Sequence, residues 1–502
     1  MATPAETSRL RDFQSLQATL PDMFARLNEN PDLPHTIVVV PSFPITEAAR
    51  ANAPAALHYE ERMFYELAHL RRRQCRMVYV TSVELDSRVL DYYLDLLCDV
   101  PARHVQERLT LLNCGDASYE ALSTKILKRP RLLQRIRERI GDRTLAWLVS
   151  LTSNPTERDL ALALEIPFHA NDPARGHIGT KSGSRVTFRE AGVLHPDGFE
   201  SLRDRDEVVD ALCRLKQAKP TLERCVIKTN EGIAGQGNAT LGLSACPAAP
   251  PEAIGSWIRD NLASMSFEDP TMSPEPFFAR LAGEGGVVEE FIEGATRHFP
   301  SGQARIAPDG SVEPFATHDQ VFSGAGQVFL GCSFPADARY RNEIQAVTKE
   351  IGVRLSGKGG RGPYGVDFVV VEGGPTYAIE INLRVTATGI AYDFLHYLTN
   401  GCYDEESGTY RSGSGNDKHY FAVDTMQSDK LKGLRPGDLL DMAANNGLEF
   451  SPTTGRGVFF HTLGAVSGFG VCGLICIGDS REECDSLYQR LRAAIDQRPA
   501  ID

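Results

Sequence analysis

The sequence predicts an α/β unit at the N-terminus followed by α+β units, and two features of the chain support this prediction. Over the first 165 residues, short β-branched runs alternate with stretches long enough for crossover helices, as in a parallel, doubly wound sheet. Further along, an apolar strand leads into a glycine-rich loop, and a Gly-Gly turn separates two apolar strands. A chain of 502 residues has room for roughly two to four domains of this kind.

The composition is that of an ordinary globular protein, with 42% hydrophobic and 24% charged residues. The formal net charge of −13 argues against a nucleic acid held on a broad basic surface. No segment has the roughly 18 continuous apolar residues of a membrane span, and the N-terminus lacks the apolar core of a secretory signal. The eleven cysteines form no C-x-x-C pair, so we expect free thiols in a cytoplasmic protein.

Four short runs supply the strands of the predicted N-terminal sheet. Open α/β sheets bind ligands at the carboxyl ends of their strands. No G-x-G-x-x-G motif follows any of these runs, so a dinucleotide site is not expected there. The four runs are residues 36–40, 76–81, 108–113 and 145–150.

Lys181 lies in the segment G-T-K-S-G-S-R, just before a predicted helix. Ser182 or Ser184 can cap the start of that helix, and Gly192 is suited to its end. A lysine at a helix start opposes the helix dipole, so a nearby anion would compensate it. The alternative is a surface lysine without a ligand.

Lys228 ends an apolar strand and precedes the loop E-G-I-A-G-Q-G-N. The loop is not a Walker A motif, because no Lys-Ser or Lys-Thr pair closes it. Its backbone amides are nevertheless suited to covering phosphates, with Lys228 as an additional phosphate contact. The alternative is a solvated lysine at a strand edge.

The two apolar strands around the Gly-Gly turn form a hairpin whose register brings acids together. We expect Val371 to face Thr376, and counting outward from that pair Asp367 faces Glu380. Opposed residues hold their Cβ atoms about 5 Å apart, and like charges placed in this way repel each other.

Asn382 lies on the same face of the strand as Glu380, because side chains alternate along a strand. Two carboxylates and an amide oxygen are hard ligands, which suit Mg²⁺, or alternatively Mn²⁺, shared with substrate phosphates. An alternative is that Arg384 bridges Asp367 and Glu380 without a metal.

Glu289 and Glu290 end an apolar strand and are followed by Phe291, Ile292 and Glu293. We interpret this segment as a hinge whose backbone recognises the edge of adenine, with an acid near the ribose hydroxyls. An exposed turn is the alternative.

Four further polar residues are candidates for a substrate pocket. His318 and Asp319 lie between predicted strands, and Arg297 and Arg305 can pair with a substrate carboxylate. A surface loop with ordinary polar residues explains the same pattern. His461 lies within an apolar strand, and we interpret it as a core histidine outside the site.

The C-terminal part begins with a polar, Gly- and Ser-rich segment at residues 401–417, which predicts a linker or mobile loop. Two strands and an amphipathic helix at 482–495 follow. We therefore divide the chain into domains at 1–165, 166–400 with a lid at about 225–293, and 401–502.

The series of these motifs resembles the ATP-grasp superfamily of carboxylate–amine ligases, and the full layout resembles the pheganomycin-type peptide ligases within it. The resemblance implies a Rossmann-like pre-ATP-grasp domain, an ATP-grasp fold and a small α+β C-terminal domain. It rests on Lys181, Lys228 with its glycine loop, Glu289 to Ile292, Asp367, Glu380, Asn382 and Arg384.

The resemblance also implies a role for each motif in binding ATP. Lysine side chains bind the α- and β-phosphates, a flap closes over the triphosphate, and the hinge holds adenine and ribose. Three oxygen ligands hold Mg²⁺, and an arginine steadies the acyl phosphate and the tetrahedral intermediate. In that order the residues are Lys181 and Lys228; Gly235, Gln236, Gly237 and Asn238; Glu289, Glu290, Phe291, Ile292 and Glu293; Asp367, Glu380 and Asn382; and Arg384.

The function implied is an ADP-forming ligase that joins an acid, activated as an acyl phosphate, to the amine of an amino acid or peptide. The expected setting is the biosynthesis of peptide natural products such as antibiotics, with small-molecule substrates and a homodimeric enzyme. Two rivals stay open. One is other ATP-grasp chemistry, such as a carboxylase or a phosphotransferase, although no A-M-K-M segment for a biotinylated lysine is present. The other is a non-catalytic nucleotide-binding scaffold, which would be expected to have lost its metal ligands.

Overall fold

The structure is a computed structural model that describes residues 4–44, 55–97, 99–232, 237–269, 271–322 and 329–498. Three sheets organise these residues: a parallel sheet of four strands, an antiparallel sheet of five, and a large sheet of eleven. Among the helices of the described residues, none has both the length and the apolar character required to cross a membrane.

The N-terminal unit is a parallel sheet with the strand order β3-β2-β1-β4, as the alternating pattern predicts. Ile37 and Val39 enter one apolar cluster whereas Val38 and Val40 enter another, so both faces of the sheet are covered. The strands are β1 (His35–Val39), β2 (Cys75–Thr81), β3 (Leu109–Asn113) and β4 (Ala146–Val149). The helices are Pro4–Gln17, Leu20–Glu29, the 3₁₀ helix Ala56–Arg71, Ser87–Asp95, Ala102–Gln106, Leu122–Leu127, Pro130–Arg139 and Pro155–Leu164, with a short 3₁₀ turn at Arg143–Leu145.

The five-stranded antiparallel sheet has the order β5-β9-β6-β7-β8 and a separate apolar core. It begins upstream of the predicted lid, because its first strand already pairs with β9. Its strands are β5 (Gly198–Leu202), β6 (Arg224–Thr229), β7 (Asn238–Gly242), β8 (Ser266–Phe267) and β9 (Gly286–Glu290). Its helices are Arg205–Ala218, Pro251–Asn261 and Pro274–Glu284, with a 3₁₀ turn at Leu262–Ser264.

The large sheet carries the predicted hairpin as β14 and β15 and continues into the C-terminal strands, because β13 pairs with β18. Its strands are β10 (Arg297–His298), β11 (Pro300–Ile306), β12 (Val312–Phe322), β13 (Phe329–Phe334), β14 (Gly362–Val371), β15 (Thr376–Asn382), β16 (Cys402–Asp404), β17 (Thr409–Arg411), β18 (Asp417–Gln427), β19 (Gly457–His461) and β20 (Val471–Gly478). The remaining helices are Pro173–Gly179 (3₁₀), Lys181–Ala191, Arg341–Gly357, Ala387–Thr399, Asp429–Leu431 (3₁₀), Pro436–Asn445, Leu463–Ala465 (3₁₀), Val466–Phe469 and Arg481–Asp496.

Residues 401–417 do not form a linker, so that prediction is wrong. Strands β16, β17 and β18 pair in sequence as an antiparallel meander. Tyr410 explains the order of this segment: it is fully buried, and its hydroxyl accepts a 2.7 Å hydrogen bond from the Gly401 N–H. A buried aromatic anchor outweighs the local preference of glycine and serine for irregular structure.

The helix Lys181–Ala191 begins two residues earlier than a cap at Ser182 predicts, and four earlier than a cap at Ser184. The side chain of Thr180 accepts a 3.1 Å hydrogen bond from the Gly183 N–H and is the N-cap. The helix ends as predicted at Gly192, whose φ of +67° is the left-handed conformation that favours glycine. Lys181 is therefore the first residue of the helix.

The cysteines of the described chain are free. Cys472 and Cys476 are fully buried in β20 and are core residues. His461 is also a core residue, as predicted, because it is buried and its ring stacks on Phe394 at 5.6 Å. Burial lowers the pKa of His461 to about 3.

Candidate active site

A cavity of about 540 Å³ opens where the N-terminal unit and the two antiparallel sheets meet. Each of these parts contributes wall residues: Tyr59 comes from the N-terminal unit, Lys228 from the five-stranded sheet, and Asp367 and Asp424 from the large sheet. A concave site at a junction of structural units is the usual form of a small-molecule site.

Asp367 and Glu380 are paired across β14 and β15, as the sequence predicts. The route to this pairing differs from the prediction, because Thr376 pairs with Val370 and not with Val371. A β-bulge at Ile379 then inserts one extra residue on β15 and restores the opposition of the two acids.

Asp367 is held by two amide groups. The Gln320 side chain donates to its Oδ1 at 2.8 Å, and the Asn382 side chain donates to its Oδ2 at 2.9 Å. Burial, followed by the negative charge of Glu380, raises the pKa of Asp367 to about 6. The carboxylates of Asp367 and Glu380 therefore repel each other.

Glu380 supplies a negative charge near the start of the helix Lys181–Ala191. Lys181 Nζ lies 3.2 Å from Glu380 Oε1 and also donates to the Gly232 carbonyl at 2.9 Å. Lys181 is only 5% exposed, so its charge needs these partners.

Arg384 lies beside the acids but, among the described residues, donates a hydrogen bond to neither of them. Its Nη2 donates to Asn382 Oδ1 at 3.1 Å and its Nη1 donates to the Val385 carbonyl at 3.2 Å. Burial lowers the pKa of Arg384, and the charges of Glu380 and Asp367 oppose that lowering. The structure therefore does not support a carboxylate pair bridged by Arg384.

Glu289 is enclosed between two cations. Its carboxylate accepts from Lys228 at 2.7 Å and from Arg185 at 2.7 Å, and its side chain is buried. Burial alone would raise the pKa of Glu289, but the charges of Lys228 and Arg185 outweigh it and lower the pKa. The Glu289 side chain therefore aligns Lys228 at the cavity wall.

The carboxylates of Glu290 and Glu293 are already engaged by protein groups. Glu290 accepts from Lys219 at 2.5 Å and from the Asp197 N–H at 2.9 Å. Glu293 binds Arg224 in a two-pronged contact at 2.9 and 2.6 Å. Both interactions fix the course of the chain after β9.

The segment after β9 is also held by Arg297. Its guanidinium lies 4.9 Å from the centre of the Phe291 ring and donates to the Ile292 carbonyl at 2.9 Å. Phe291, Ile292 and Arg297 all line the cavity. Among the described residues, the Ile292 N–H makes no hydrogen bond.

The predicted flap is only partly described. Gly235 and Gln236 lie outside the described residues. Gly237 has a φ of +90°, and its carbonyl accepts from the Thr229 N–H at 2.9 Å. Asn238 pairs with Lys228 across β6 and β7, and its side-chain oxygen is buried without a hydrogen-bond partner among the described residues.

The structure does not bring Arg305 or His318 into the described cavity wall. Arg305 pairs with Asp393 at 3.4 Å and lies over the Phe315 ring. His318 is fully buried, and its Nε2 lies 2.5 Å from the Tyr420 hydroxyl. Burial lowers the pKa of His318 to about 3, so it is a neutral core residue.

Asp319 also lies away from the described wall. Its carboxylate accepts from the Tyr340 hydroxyl and from Arg481, both at 2.6 Å. On β12 the side chains alternate, so Gln320 faces the cavity whereas its neighbour Asp319 faces the C-terminal helix.

Sequence reasoning missed three charged residues of the cavity wall, Glu268 and the pair formed by Arg62 and Asp424. Arg62 Nη2 donates to Asp424 Oδ2 at 3.0 Å across 362 positions of sequence. Neither residue belongs to a recognisable motif, so only the fold brings them together.

Asp367, Glu380 and Asn382 fit a divalent cation by donor chemistry and by charge. They provide hard oxygen atoms of the kind that Mg²⁺ prefers, and a cation between the two acids would relieve the repulsion that contributes to the raised pKa of Asp367. Within the described ranges, no group of three or more His, Cys, Asp and Glu side chains is arranged to hold a metal. Phosphates of a bound nucleotide would therefore complete the ligand set.

Comparisons with known proteins agree with this geometry. Residues 199–388 match a family model described as an ATP-grasp domain, and residues 438–491 match a PGM1 C-terminal domain. The L-propargylglycine--L-glutamate ligase of Streptantibioticus cattleyicolor is 31% identical over 472 residues, which cover 92% of this chain and 94% of that protein. The chain belongs to the ATP-grasp family of carboxylate–amine ligases. As an ATP-grasp ligase, it uses ATP to form an amide bond and releases ADP.

Further matches to this ATP-grasp ligase include a curated protein of lower identity and solved structures that share its fold. IQ motif-containing protein H of Danio rerio is 22% identical over 408 residues, which cover 72% of this chain and 38% of that protein. An N5-carboxyaminoimidazole ribonucleotide synthetase in complex with ADP superposes with a TM-score of 0.51 at 12% identity, covering 92% of this chain and 98% of that one. Biotin carboxylase from Campylobacter jejuni superposes with a TM-score of 0.54 at 13% identity, covering 91% and 90%. At these identities the likeness concerns the fold alone.

Proposed function

We propose that this ATP-grasp ligase phosphorylates the carboxylate of one amino acid and joins it to the amine of a second amino acid or a peptide. The observation that carries the proposal is the opposition of Asp367 and Glu380 beside Arg384 on the wall of one cavity. Acids in this arrangement need a cation, and a half-buried arginine beside them suits an anionic reaction intermediate.

In the proposed nucleotide site, ATP lies between the two antiparallel sheets. Lys228, aligned by Glu289, and Lys181, next to Glu380, contact its phosphates. The side-chain oxygen of Asn238, which has no hydrogen-bond partner among the described residues, supports a polar contact with the nucleotide. Gly237 is the part of the predicted flap that the structure describes, and Gly235 and Gln236 lie outside the described residues.

The proposed adenine site is the backbone of Glu289 to Ile292, which Arg297 holds in place. The Ile292 N–H, which has no hydrogen-bond partner among the described residues, supports this assignment, because adenine offers ring nitrogens as acceptors. The carboxylates of Glu290 and Glu293 are paired with Lys219 and Arg224, so a ribose contact would share them with those cations.

Asp367, Glu380 and Asn382 are proposed to hold Mg²⁺, or Mn²⁺ in its place. When bound, the ion supplies positive charge that offsets the negative charge of the phosphates. Asp367 and Glu380 would determine where the ion lies. Gln320 and Lys181 hold the two carboxylates in place by direct contacts.

The proposed reaction has two steps. An oxygen of the acid attacks the γ-phosphorus of ATP, and the bond from that phosphorus to ADP breaks, which leaves an acyl phosphate. The neutral amine then attacks the carbonyl carbon, the bond to phosphate breaks, and the amine nitrogen loses a proton. Arg384 offsets the negative charge of the acyl phosphate and of the tetrahedral intermediate that the amine forms. Closure of the cavity excludes water that would hydrolyse the acyl phosphate.

The substrate class rests on the relative whose name identifies it as a ligase of L-propargylglycine and L-glutamate. We infer that this chain likewise accepts amino acids, in the biosynthesis of a peptide natural product. A cytoplasmic location and a homodimer remain predictions.

The proposal is tested by incubating the protein with ATP, Mg²⁺ and pairs of L-amino acids while phosphate release is measured. The expected result is phosphate release that requires two amino acids, with a dipeptide detected by mass spectrometry. Hydroxylamine in place of the second amino acid should trap the acyl phosphate as a hydroxamate. Removal of the metal by EDTA should stop both reactions, and added Mg²⁺ should restore them.

Other outcomes would contradict the proposal. Phosphate release that depends on bicarbonate would indicate a carboxylase, and a phosphorylated hydroxyl product would indicate a phosphotransferase. Nucleotide binding without turnover in the whole matrix of pairs would indicate a scaffold.

A further inference from the structure

Arg62 is a buried guanidinium with unused hydrogen-bonding capacity in the wall of the cavity. It belongs to the 3₁₀ helix Ala56–Arg71 and is 9% exposed. The Tyr59 ring lies 3.6 Å below the guanidinium carbon, and Asp424 accepts one hydrogen bond from Nη2. The Nε–H is buried and has no hydrogen-bond partner among the described residues.

Arg62 combines a donor that has no partner among the described residues with a place in the wall of the cavity. A buried guanidinium normally satisfies its donors, because each unpaired donor costs free energy. Arg62 lines the cavity and has its plane fixed by Tyr59, and its Nε–H has no hydrogen-bond partner among the described residues. A planar fork with free N–H groups is suited to a carboxylate.

The other cations of the described wall are already assigned. Lys228 is held by Glu289, Arg297 holds the carbonyl of Ile292, and Arg384 lies beside the metal ligands. Arg62 instead comes from the N-terminal unit, and it is the cation left for a second anionic group.

The second substrate supplies such a group. The acid that is activated loses its charge to the phosphoryl group, whereas an amino acid acceptor retains a carboxylate that takes no part in the reaction. Enclosing that carboxylate in the cavity requires a compensating charge. An α-amide or hydroxylamine lacks the carboxylate and has no such requirement.

We propose that Arg62 binds the carboxylate of the amine-bearing substrate, with Asp424 as its counter-ion. This inference rests on the proposed function and assigns the acceptor to one side chain. Tyr59 keeps the guanidinium plane in position, and Asp424 neutralises it until the substrate carboxylate arrives.

The test compares three acceptors in the full-length protein: the best L-amino acid from the phosphate-release matrix, its α-carboxamide, and hydroxylamine. The variants are Arg62→Met and Arg62→Lys. Arg71→Met is the matched control, because Arg71 lies on the same 3₁₀ helix and pairs with Asp99 outside the described cavity wall. ATP binding and thermal melting are measured for every variant.

The wild-type protein should prefer the amino acid to its α-carboxamide by roughly tenfold or more in kcat/KM. Arg62→Met should raise KM for the amino acid by roughly tenfold or more, erase that preference, and leave hydroxamate formation and KM for ATP unchanged. Arg62→Lys should retain part of the preference, and Arg71→Met should retain all of it.

Equal use of the amino acid and its carboxamide by the wild-type protein would overturn the inference, even if neither Arg62 variant folds. Loss of hydroxamate formation in a folded Arg62→Met protein would also overturn it, because Arg62 would then serve the activated acid. Absence of hydroxamate in the wild-type protein would instead refute the proposed function, and the inference with it.

Discussion

Asp367 stands directly opposite Glu380 across β14 and β15, and the pKa of the Asp367 carboxyl is raised to about 6. Burial is the larger cause and the charge of Glu380 the second. The fold thus holds two acids together at a cost in stability that a bound cation would offset. Such a cost is expected where binding of a ligand is the purpose of the arrangement.

Replacing Glu380 with Gln should lower kcat by about 100-fold or more, because one ligand charge for the metal and phosphates is lost. Phosphate release and dipeptide formation measure this effect. The matched control is Glu372→Gln at the hairpin turn, where the acid pairs with Arg339 on the surface and contributes little. Unchanged turnover in Glu380→Gln would remove the acid pair from the mechanism.

Replacing Arg384 with Met should lower kcat by about 100-fold to 1000-fold, because the intermediates lose a nearby positive charge. KM for ATP should change little, since Arg384 is assigned to the acyl group and not to the nucleotide. Hydroxamate formation and ATP saturation curves separate the two effects. Arg354→Met is the control, because Arg354 forms only an exposed ion pair with Glu350. A variant with normal kcat and a raised KM for ATP would reassign Arg384 to the nucleotide.

Replacing Lys228 with Met should raise KM for ATP by roughly tenfold or more, because a phosphate contact is lost. The buried Glu289 would keep Arg185 as its partner, so the fold should persist with reduced stability. Initial rates at varied ATP and thermal melting with nucleotide measure the two effects. Lys349→Met, which removes a surface pair with Glu405, should leave both unchanged. An unaltered KM for ATP would make Lys228 a purely structural partner of Glu289.

Replacing His318 with Gln should leave kcat within about twofold near neutral pH, because His318 is a core residue. Its pKa is lowered from 6.5 to about 3 by burial, so the folded state keeps it neutral while the unfolded state takes up a proton. Stability contributed by the neutral ring is therefore present above pH 6.5 and lost as the pH falls toward 3.

The wild-type protein should lose about 1.4 kcal/mol of unfolding free energy relative to His318→Gln for each pH unit inside that window. Denaturant unfolding of the two proteins across the acidic range measures this difference. Parallel stability curves would show that His318 does not titrate on unfolding, and a large loss of kcat would return it to the active site.

The sequence predicted those features that depend on a short local pattern of residues. Four β-branched runs became the parallel sheet, and the hairpin acids could be paired by counting from a turn. The count succeeded only because two departures cancelled: the turn shifted the register by one residue, and the bulge at Ile379 shifted it back. A bulge depends on packing that no short segment contains.

The sequence analysis could not predict contacts between distant segments. Arg62 and Asp424 meet across 362 positions, and neither lies in a motif. Asp319 likewise pairs with Arg481 on the last helix and so lies away from the cavity. No short segment of sequence predicts this contact. Tyr410 gives order to a segment whose composition alone indicates a loop.

The pairing of β13 with β18 has a consequence for engineering this ligase. The segment after residue 400 is joined by a hydrogen-bond ladder to the sheet that carries the proposed metal ligands. It also contributes Asp424 to the wall of the cavity. It cannot be exchanged as a detachable module without breaking the sheet. New substrate preferences would therefore be sought by changing single wall side chains rather than by building chimeras.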